Sequence, residues 1–593
     1  MSLKKILRQI SLDRAWEHLD WLNQHAPARI SGTPGQERAA EYFVEQLADF
    51  GLEARLDRFT AYRSVPLRGS FHILSPEPLE IPCEPCGHIL STPDEGIEVD
   101  LLYLGPGSEE DYAGKDVRGA AVLTEISSGP SRPKKASIAA SHGASAIIYL
   151  NWGLPEFDTI PCGAIKCVWG NPTRATMPHI PQIAALGISR ASGDRLMDML
   201  SQGPLRARIV AQATRDWGHL TQPWARLRAP ENSTGDFLVV GGHYDAWEPG
   251  MTDNAGGNAL KLELARVFAA NRHLLTRDIV FGFWNGHEIG DYEGSTWFAD
   301  HYWDELDRHA VAYFNVDTVG SVGSSFYLGD STPELTAFHR RIEEKVLGVK
   351  TGHRHLNRDN EHPFFGLGLP ALEGRFHFSK EQIAEWGGAR GSWWWHSKAD
   401  TLDKIDRDRY RETTHIFAGY AYEICTAPIL PMDFSAWVDR IGESLLEMQA
   451  VAGGRFSLEL PIDPFVQAVT RLNQAMVLGR EAGPGSGSGS RQEAGLGSRQ
   501  EARRVHRLNR ALMRLSRILL PAFETAGGRY EQDLYELEAL GSAIPALHAL
   551  HEFRSAPADS ELSHLLFTEL LRQRNRLSDA LRLATTEILE AVE

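Results

Sequence analysis

The chain has 593 residues, 42% of them hydrophobic and 23% charged, with a net charge of −17. That is the make-up of a globular protein long enough for roughly three or four domains. The acidic balance speaks against a nucleic-acid partner, because phosphate binding wants a basic face. No stretch of about 18 apolar residues occurs, so no membrane span is expected. Residues 1–10 lack the apolar core of a signal peptide, which makes a cytoplasmic location the default.

The chain opens with helices. Ser11 is a natural N-cap for a helix over 12–24, with Trp16, Leu19 and Leu22 at helical spacing. Thr33, Pro34 and Gln36 read as N-cap, first helical position and capping-box partner of a second helix. Its apolar face is Ala39, Ala40, Phe43, Leu47 and Phe50, and Gly51 is the expected stop. From about 69 to 209 the texture turns to short strands rich in Gly and Pro. Within it, 114–123 reads as turn then strand, 137–141 as helix and 143–150 as buried strand. Residues 215–428 alternate strands and helices, which predicts a sheet covered on both faces. Beyond Pro428 the chain is mostly helical, apart from a Gly/Ser-rich tract at 483–490 and a repeated Ser-Arg-Gln-Glu-Ala at 490–494 and 498–502. A flexible linker is expected over 481–502.

Five residues carry metal-binding chemistry: His243, Asp253, Glu288, Asp317 and His396. Three of them follow apolar, strand-like runs at 237–242, 279–284 and 311–316. In an open α/β sheet, sites form beyond the carboxyl ends of the strands, so three strands delivering ligands to one edge argues for a site. Asp253, ahead of a helical run, can bridge two ions with its two oxygens. Asp245, two residues after His243, is suited to hydrogen-bonding that ring and fixing its tautomer. A zincin reading of His287-Glu288 fails, since position 291 is Asp rather than His. Cys83-x-x-Cys86 and Cys162-x4-Cys167 could form a structural zinc site, although two such loose pairs are more often buried residues or free thiols.

Together the segments His243-Tyr-Asp245, Asp253-Asn-Ala-Gly-Gly257, His287-Glu288-Ile-Gly290, Asn315-Val-Asp317 and His396-Ser-Lys-Ala-Asp400-Thr401 resemble those of the co-catalytic zinc aminopeptidases. The likeness is to the branch that holds glutamate carboxypeptidase II and the transferrin receptor. It implies a mixed α/β sheet with helices on both faces, carrying an inserted β-rich protease-associated domain and a C-terminal helical dimerisation domain. On that pattern 1–68 and 213–430 form the peptidase-like domain, 69–212 the insert and 431–593 the dimerisation domain. The resemblance further implies two zinc ions, one held by His243, Asp253 and Asp317 and the other by Asp253, Glu288 and His396. It also implies a homodimer acting on an amide bond of a peptide or a peptide-like small molecule.

The chain departs from the family where the usual general-base Glu is replaced by His287. An imidazole, with an ordinary pKa near about 6.5, can take a proton from water. It can equally ligate metal, or mark a protein that kept its ligands and lost turnover. A changed base also suits a non-peptide amide substrate. Arg375 and His377, in the segment where the family binds a substrate carboxylate, and Trp395, where it has a Tyr beside the oxyanion, are the expected substrate-binding residues.

Overall fold

The computed structural model describes residues 3–126, 129–230, 232–356, 362–481, 491–534 and 542–593. Its centre is an eight-stranded mixed sheet. The strands lie in the spatial order Glu53–Arg63, Asp216–Leu227, Asp278–Gly282, Phe237–Gly241, Ala310–Asn315, Ala371–His377, Phe326–Ser331 and Gly352–His355. Phe237–Gly241 has parallel neighbours on both sides, Asp278–Gly282 and Ala310–Asn315. All three are buried along their full length, as parallel strands covered on both faces must be.

Alternate side chains of the central strand go to opposite faces. Leu238 and Val240 join one apolar cluster with the helices Leu12–His25, Pro34–Asp49, Gly256–Ala270 and Arg407–Thr426. Phe237 and Val239 join another, with Phe298 and Leu306 of the helices Glu293–His301 and Trp303–His309. The expected sheet with helices on both faces is what forms.

Between Arg63 and Asp216 the chain leaves this sheet and builds a second eight-stranded sheet with its own core. That sheet begins with Pro66–Ser75 and closes with Arg206–Ala213, against an expected span of 69–212. The strands bracketing the excursion pair along their whole length, from Glu53 opposite Arg226 to Arg63 opposite Asp216. Its two ends are therefore held side by side, and a long insertion adds little to the cost of closing the chain.

After Thr426 come the helices Ser435–Ala452, Ile462–Glu481, Arg491–Phe523, Ala549–Ser555 and Glu561–Val592. They share the larger apolar cluster with the central strands through Trp437, Leu508, Leu512 and Leu577. Arg517 is buried at the junction and donates to the carbonyls of Leu306, Asp307, Ala310 and Gly368. Among the described residues no helix is long and apolar enough to cross a membrane.

Two local expectations need correction. The linker expected over 481–502 is helical from Arg491 onward, and 482–490 lie outside the described residues. The capping box at Thr33 is not made. Thr33 Oγ1 donates to the Ile30 carbonyl, while the Gln36 amide reaches inward to Thr221 and Tyr244. The helix nevertheless starts at Pro34 and stops before Gly51, whose φ is 80°.

Gly242, between the central strand and His243, has no room for a side chain: a Cβ would lie 2.3 Å from the Val316 carbonyl oxygen. Gly242→Ala is expected to lower stability by about 1–3 kcal/mol, because a packed backbone must move aside. The fall should be read as a lower thermal midpoint. An unchanged midpoint would mean the strand ends are spaced more loosely than described.

Candidate metal centre

The three parallel strands finish at one edge of the sheet, and the residues that follow them converge. His243 Nε2 lies 3.0 Å from Asp253 Oδ1 and 3.3 Å from Asp317 Oδ1. His396 Nε2 lies 3.0 Å from Glu288 Oε2 and 3.4 Å from Asp253 Oδ2. All five expected ligands come together, and Asp253 turns one oxygen to each histidine.

Each is fixed by its neighbours. His243 Nδ1 faces the backbone carbonyl of Asp245 at 2.9 Å, so its N–H donates there and Nε2 is the nitrogen turned to the carboxylates. The Asp245 carboxylate does not hold this ring, as the spacing had suggested; its Oδ1 is 3.9 Å from Nδ1. Instead Oδ1 accepts the backbone N–H of His287 at 3.1 Å. Its partner Oδ2 accepts the N–H of Glu288 and the hydroxyl of Ser31, both at 3.0 Å. One buried carboxylate thus pins two consecutive residues of the site.

Asp253 sits just before the Gly256–Ala270 helix, where the unpaired N–H groups favour an anion. Asp400 accepts from the N–H groups of Thr252 and Asp253 and from the Thr252 hydroxyl. Asn254 accepts from the Gly257 N–H and donates to the Val316 carbonyl. Lys261, fully buried, donates to the carbonyls of Gly242 and Gly282 and so ties two strand ends to the helix. His396 has a φ of 53°, uncommon for a residue other than glycine. Its carbonyl accepts the Cys162 N–H of the insert at 2.7 Å.

Three carboxylates buried this close repel one another unless positive charge lies among them. In the protein alone the histidines supply it. Burial pulls the His396 imidazole down, but Glu288 and Asp253 outweigh that and lift it to about 9. His243, equally buried, is held well above its ordinary value by Asp317 and Asp253. Even so, His243 Nε2, His396 Nδ1 and Glu288 Oε1 are buried without a well-aligned hydrogen-bond partner. Donor atoms of His243, Asp253 and Glu288 lie within 4.8 Å of one another, as do those of His243, His287 and Asp317. Imidazole nitrogen and carboxylate oxygen are the donors that zinc takes, and the residues present fit a metal.

His287 lies flat against His243, with 4.0 Å between ring centroids and 10° between planes. Burial first, then the His243 charge, brings its imidazole down to about 3. A ring that reluctant to accept a proton is a weak base at neutral pH.

The site opens into a cleft of about 870 Å³ between the insert and the main domain, lined by Arg132 and Trp152 on one side and Asp291, Arg375, His377 and Trp395 on the other. The Trp395 ring stacks on His396 at 3.6 Å and tilts towards Trp152 at 5.3 Å. Three consecutive tryptophans at 393–395 have different surroundings: Trp395 is wall, Trp394 is buried, and Trp393 stacks on Phe157 of the insert. Arg375 Nη1 lies 3.4 Å from Glu373 Oε1. His377 is brought to about 3 by burial and then by Arg375 and Arg354. Asp291, which the sequence had not marked, keeps a buried oxygen without a partner. Burial and then Glu293 lift its carboxyl well above the usual range, against the pull of Lys166.

The cysteines stand apart from the clusters of metal-binding side chains found among the described residues. All five are free thiols. Cys167 Sγ donates to the Pro133 carbonyl.

Residues 225–421 match the model of peptidase family M28. All five candidate metal ligands lie inside the matched segment, and the match, with the aminopeptidase relatives, supports a peptide hydrolase. A probable glutamate carboxypeptidase of Zea mays is 21% identical over 519 residues, 73% of this chain and 70% of its own length. An aminopeptidase of Bacillus subtilis is 23% identical, over 69% of this chain and 84% of its own. Among solved structures, a zinc aminopeptidase from Bacillus subtilis matches with a TM-score of 0.56 at 19% identity, over 70% of this chain and 96% of that one. The likeness to that structure speaks for the fold alone.

The raised histidines set the pH response of metal uptake. An imidazolium must lose its proton to bind metal, so binding below about pH 9 displaces protons. Apparent zinc affinity of the protein is expected to rise about tenfold or more per pH unit between about pH 6 and 9. Competition titration against a chelator at several pH values reads this directly. An affinity flat across that window would contradict the proposed ligand set.

Proposed function

We propose that this protein is a two-zinc hydrolase of exopeptidase type, cleaving an amide bond of a peptide or peptide-like small molecule. The supporting observation is Asp253, whose two oxygens face two different histidines. On this reading His243, Asp253 and Asp317 hold one ion, and Asp253, Glu288 and His396 hold the other. Such a pair supplies polarisation of the scissile carbonyl and activation of water at neutral pH.

The chain's own residues do the rest. Trp395 and Trp152 flank the substrate and keep bulk water from one side of the cleft. Arg375 and Arg132 offer charge to an anionic part of the substrate. Glu288 Oε1 and Asp291 Oδ2, both without hydrogen-bond partners, are the carboxylate oxygens open to a proton from water. Asp245 acts through backbone, by holding His287 and Glu288 in place.

The second sheet is the protease-associated-like module, and its share in the cleft through Arg132 and Trp152 supports a role in substrate selection. The C-terminal helices leave Leu446, Val477, Leu478 and Leu565 exposed, which supports a homodimer joined through them. A second reading rests on His287. Burial and the His243 charge hold its ring well below the ordinary imidazole value, a poor match to the family's carboxylate base, which supports a non-peptide amide substrate or a silent metal-binding protein.

Zinc-loaded protein is expected to hydrolyse at least one member of a panel of aminoacyl, dipeptide and small amide substrates, and a chelator should abolish this. Asp253→Ala should lower kcat/KM by at least about 10³-fold, a loss of several kcal/mol of transition-state stabilisation. A metal-loaded protein inert on the whole panel would favour the silent reading.

A further inference from the structure

We infer that His287 is a metal ligand, joining His243 and Asp317 on one ion, in place of the proton acceptor its position in the motif suggests. The inference rests on the two-metal reading above and adds to it a sixth protein ligand.

The geometry has three parts. Donor atoms of His243, His287 and Asp317 lie within 4.8 Å of one another, the spacing that a single cation can span. The two imidazoles lie nearly parallel with 4.0 Å between centroids, which puts the His287 ring beside the one that faces Asp253 and Asp317. The backbone at 287 and 288 is held by the two oxygens of Asp245, itself fully buried. From that pinned dipeptide the side chains diverge. Glu288 goes to His396, 3.0 Å from its Nε2. His287 goes to the other half of the site, against His243, with the Tyr292 ring edge-on behind it at 4.8 Å. A neutral imidazole is what zinc binds.

The consequence is an unequal pair of sites. Counting Asp253, the half at His243 has four protein donors, the complement of a closed tetrahedral zinc site. The half at His396 has Asp253 and Glu288 beside it, three donors, which leaves a position for substrate. Both halves border the cleft, through His287 and Asp317 on one side and Glu288 and His396 on the other, so the open position on the His396 half, beside Trp395, is what assigns substrate chemistry to it.

Zinc titration and X-ray absorption on the full chain test this, with His287→Gln and His287→Phe compared against wild type and Asp317→Asn. The Phe variant keeps a flat ring against His243 but offers no nitrogen. Both His287 variants, folded by circular dichroism, are expected to bind one zinc as wild type does and the other at least about tenfold more weakly. At full zinc loading they should have fewer imidazole ligands per zinc than wild type, and Asp317→Asn should weaken the same ion. Wild-type affinity for both ions and an unchanged imidazole complement in the two His287 variants would overturn the inference while leaving the two-metal reading intact. A wild-type protein that holds fewer than two ions would overturn both.

Discussion

Asp253, Glu288 and Asp317 place three buried carboxylates around two imidazoles, and this concentration of negative charge is the constraint the rest of the main domain answers to. Buried charges persist only where they are paired or hydrogen-bonded. The protein meets that demand in two ways. His243 and His396 sit among the acids, and the surrounding backbone is anchored so that repulsion cannot spread the group. Asp400, Asn254 and Lys261 provide much of the anchoring, each binding backbone groups of the segments that carry ligands.

Why these residues meet at all is a matter of strand topology. Three adjacent parallel strands share a direction, so their carboxyl ends share an edge. Apolar runs long enough to be buried on both faces fix those strands, and polar residues beyond them cannot avoid one another. The insert adds a second wall. It leaves and rejoins through one pair of antiparallel strands and reaches the site through Cys162, whose N–H binds the His396 carbonyl. The histidine–carboxylate cluster, aromatic wall and insert are thus parts of one packed unit.

Much of this was legible in the sequence. Continuous apolar runs announced the three strands, and the donors that follow them announced the site, because burial pattern and side-chain chemistry are local properties. What escaped was whatever depends on contacts far along the chain. Ser31, Lys261 and Trp152 show no local pattern, yet each touches or supports the site. A two-residue spacing could not tell whether His243 would bind the backbone or the carboxylate of Asp245; the backbone took the ring and freed the carboxylate for the 287–288 segment. The capping box failed for a similar reason, since Tyr244 and Thr221 drew Gln36 inward. Helical backbone from Arg491 ran against the composition of the preceding Gly/Ser tract.

The most direct test of the central claim is anomalous diffraction at the zinc absorption edge from crystals of the zinc-loaded protein. Two anomalous peaks, one on each side of the Asp253 carboxylate, are what the gathered ligands predict. A single peak, or none within reach of Asp253, would contradict the reading of this cluster as a paired metal centre.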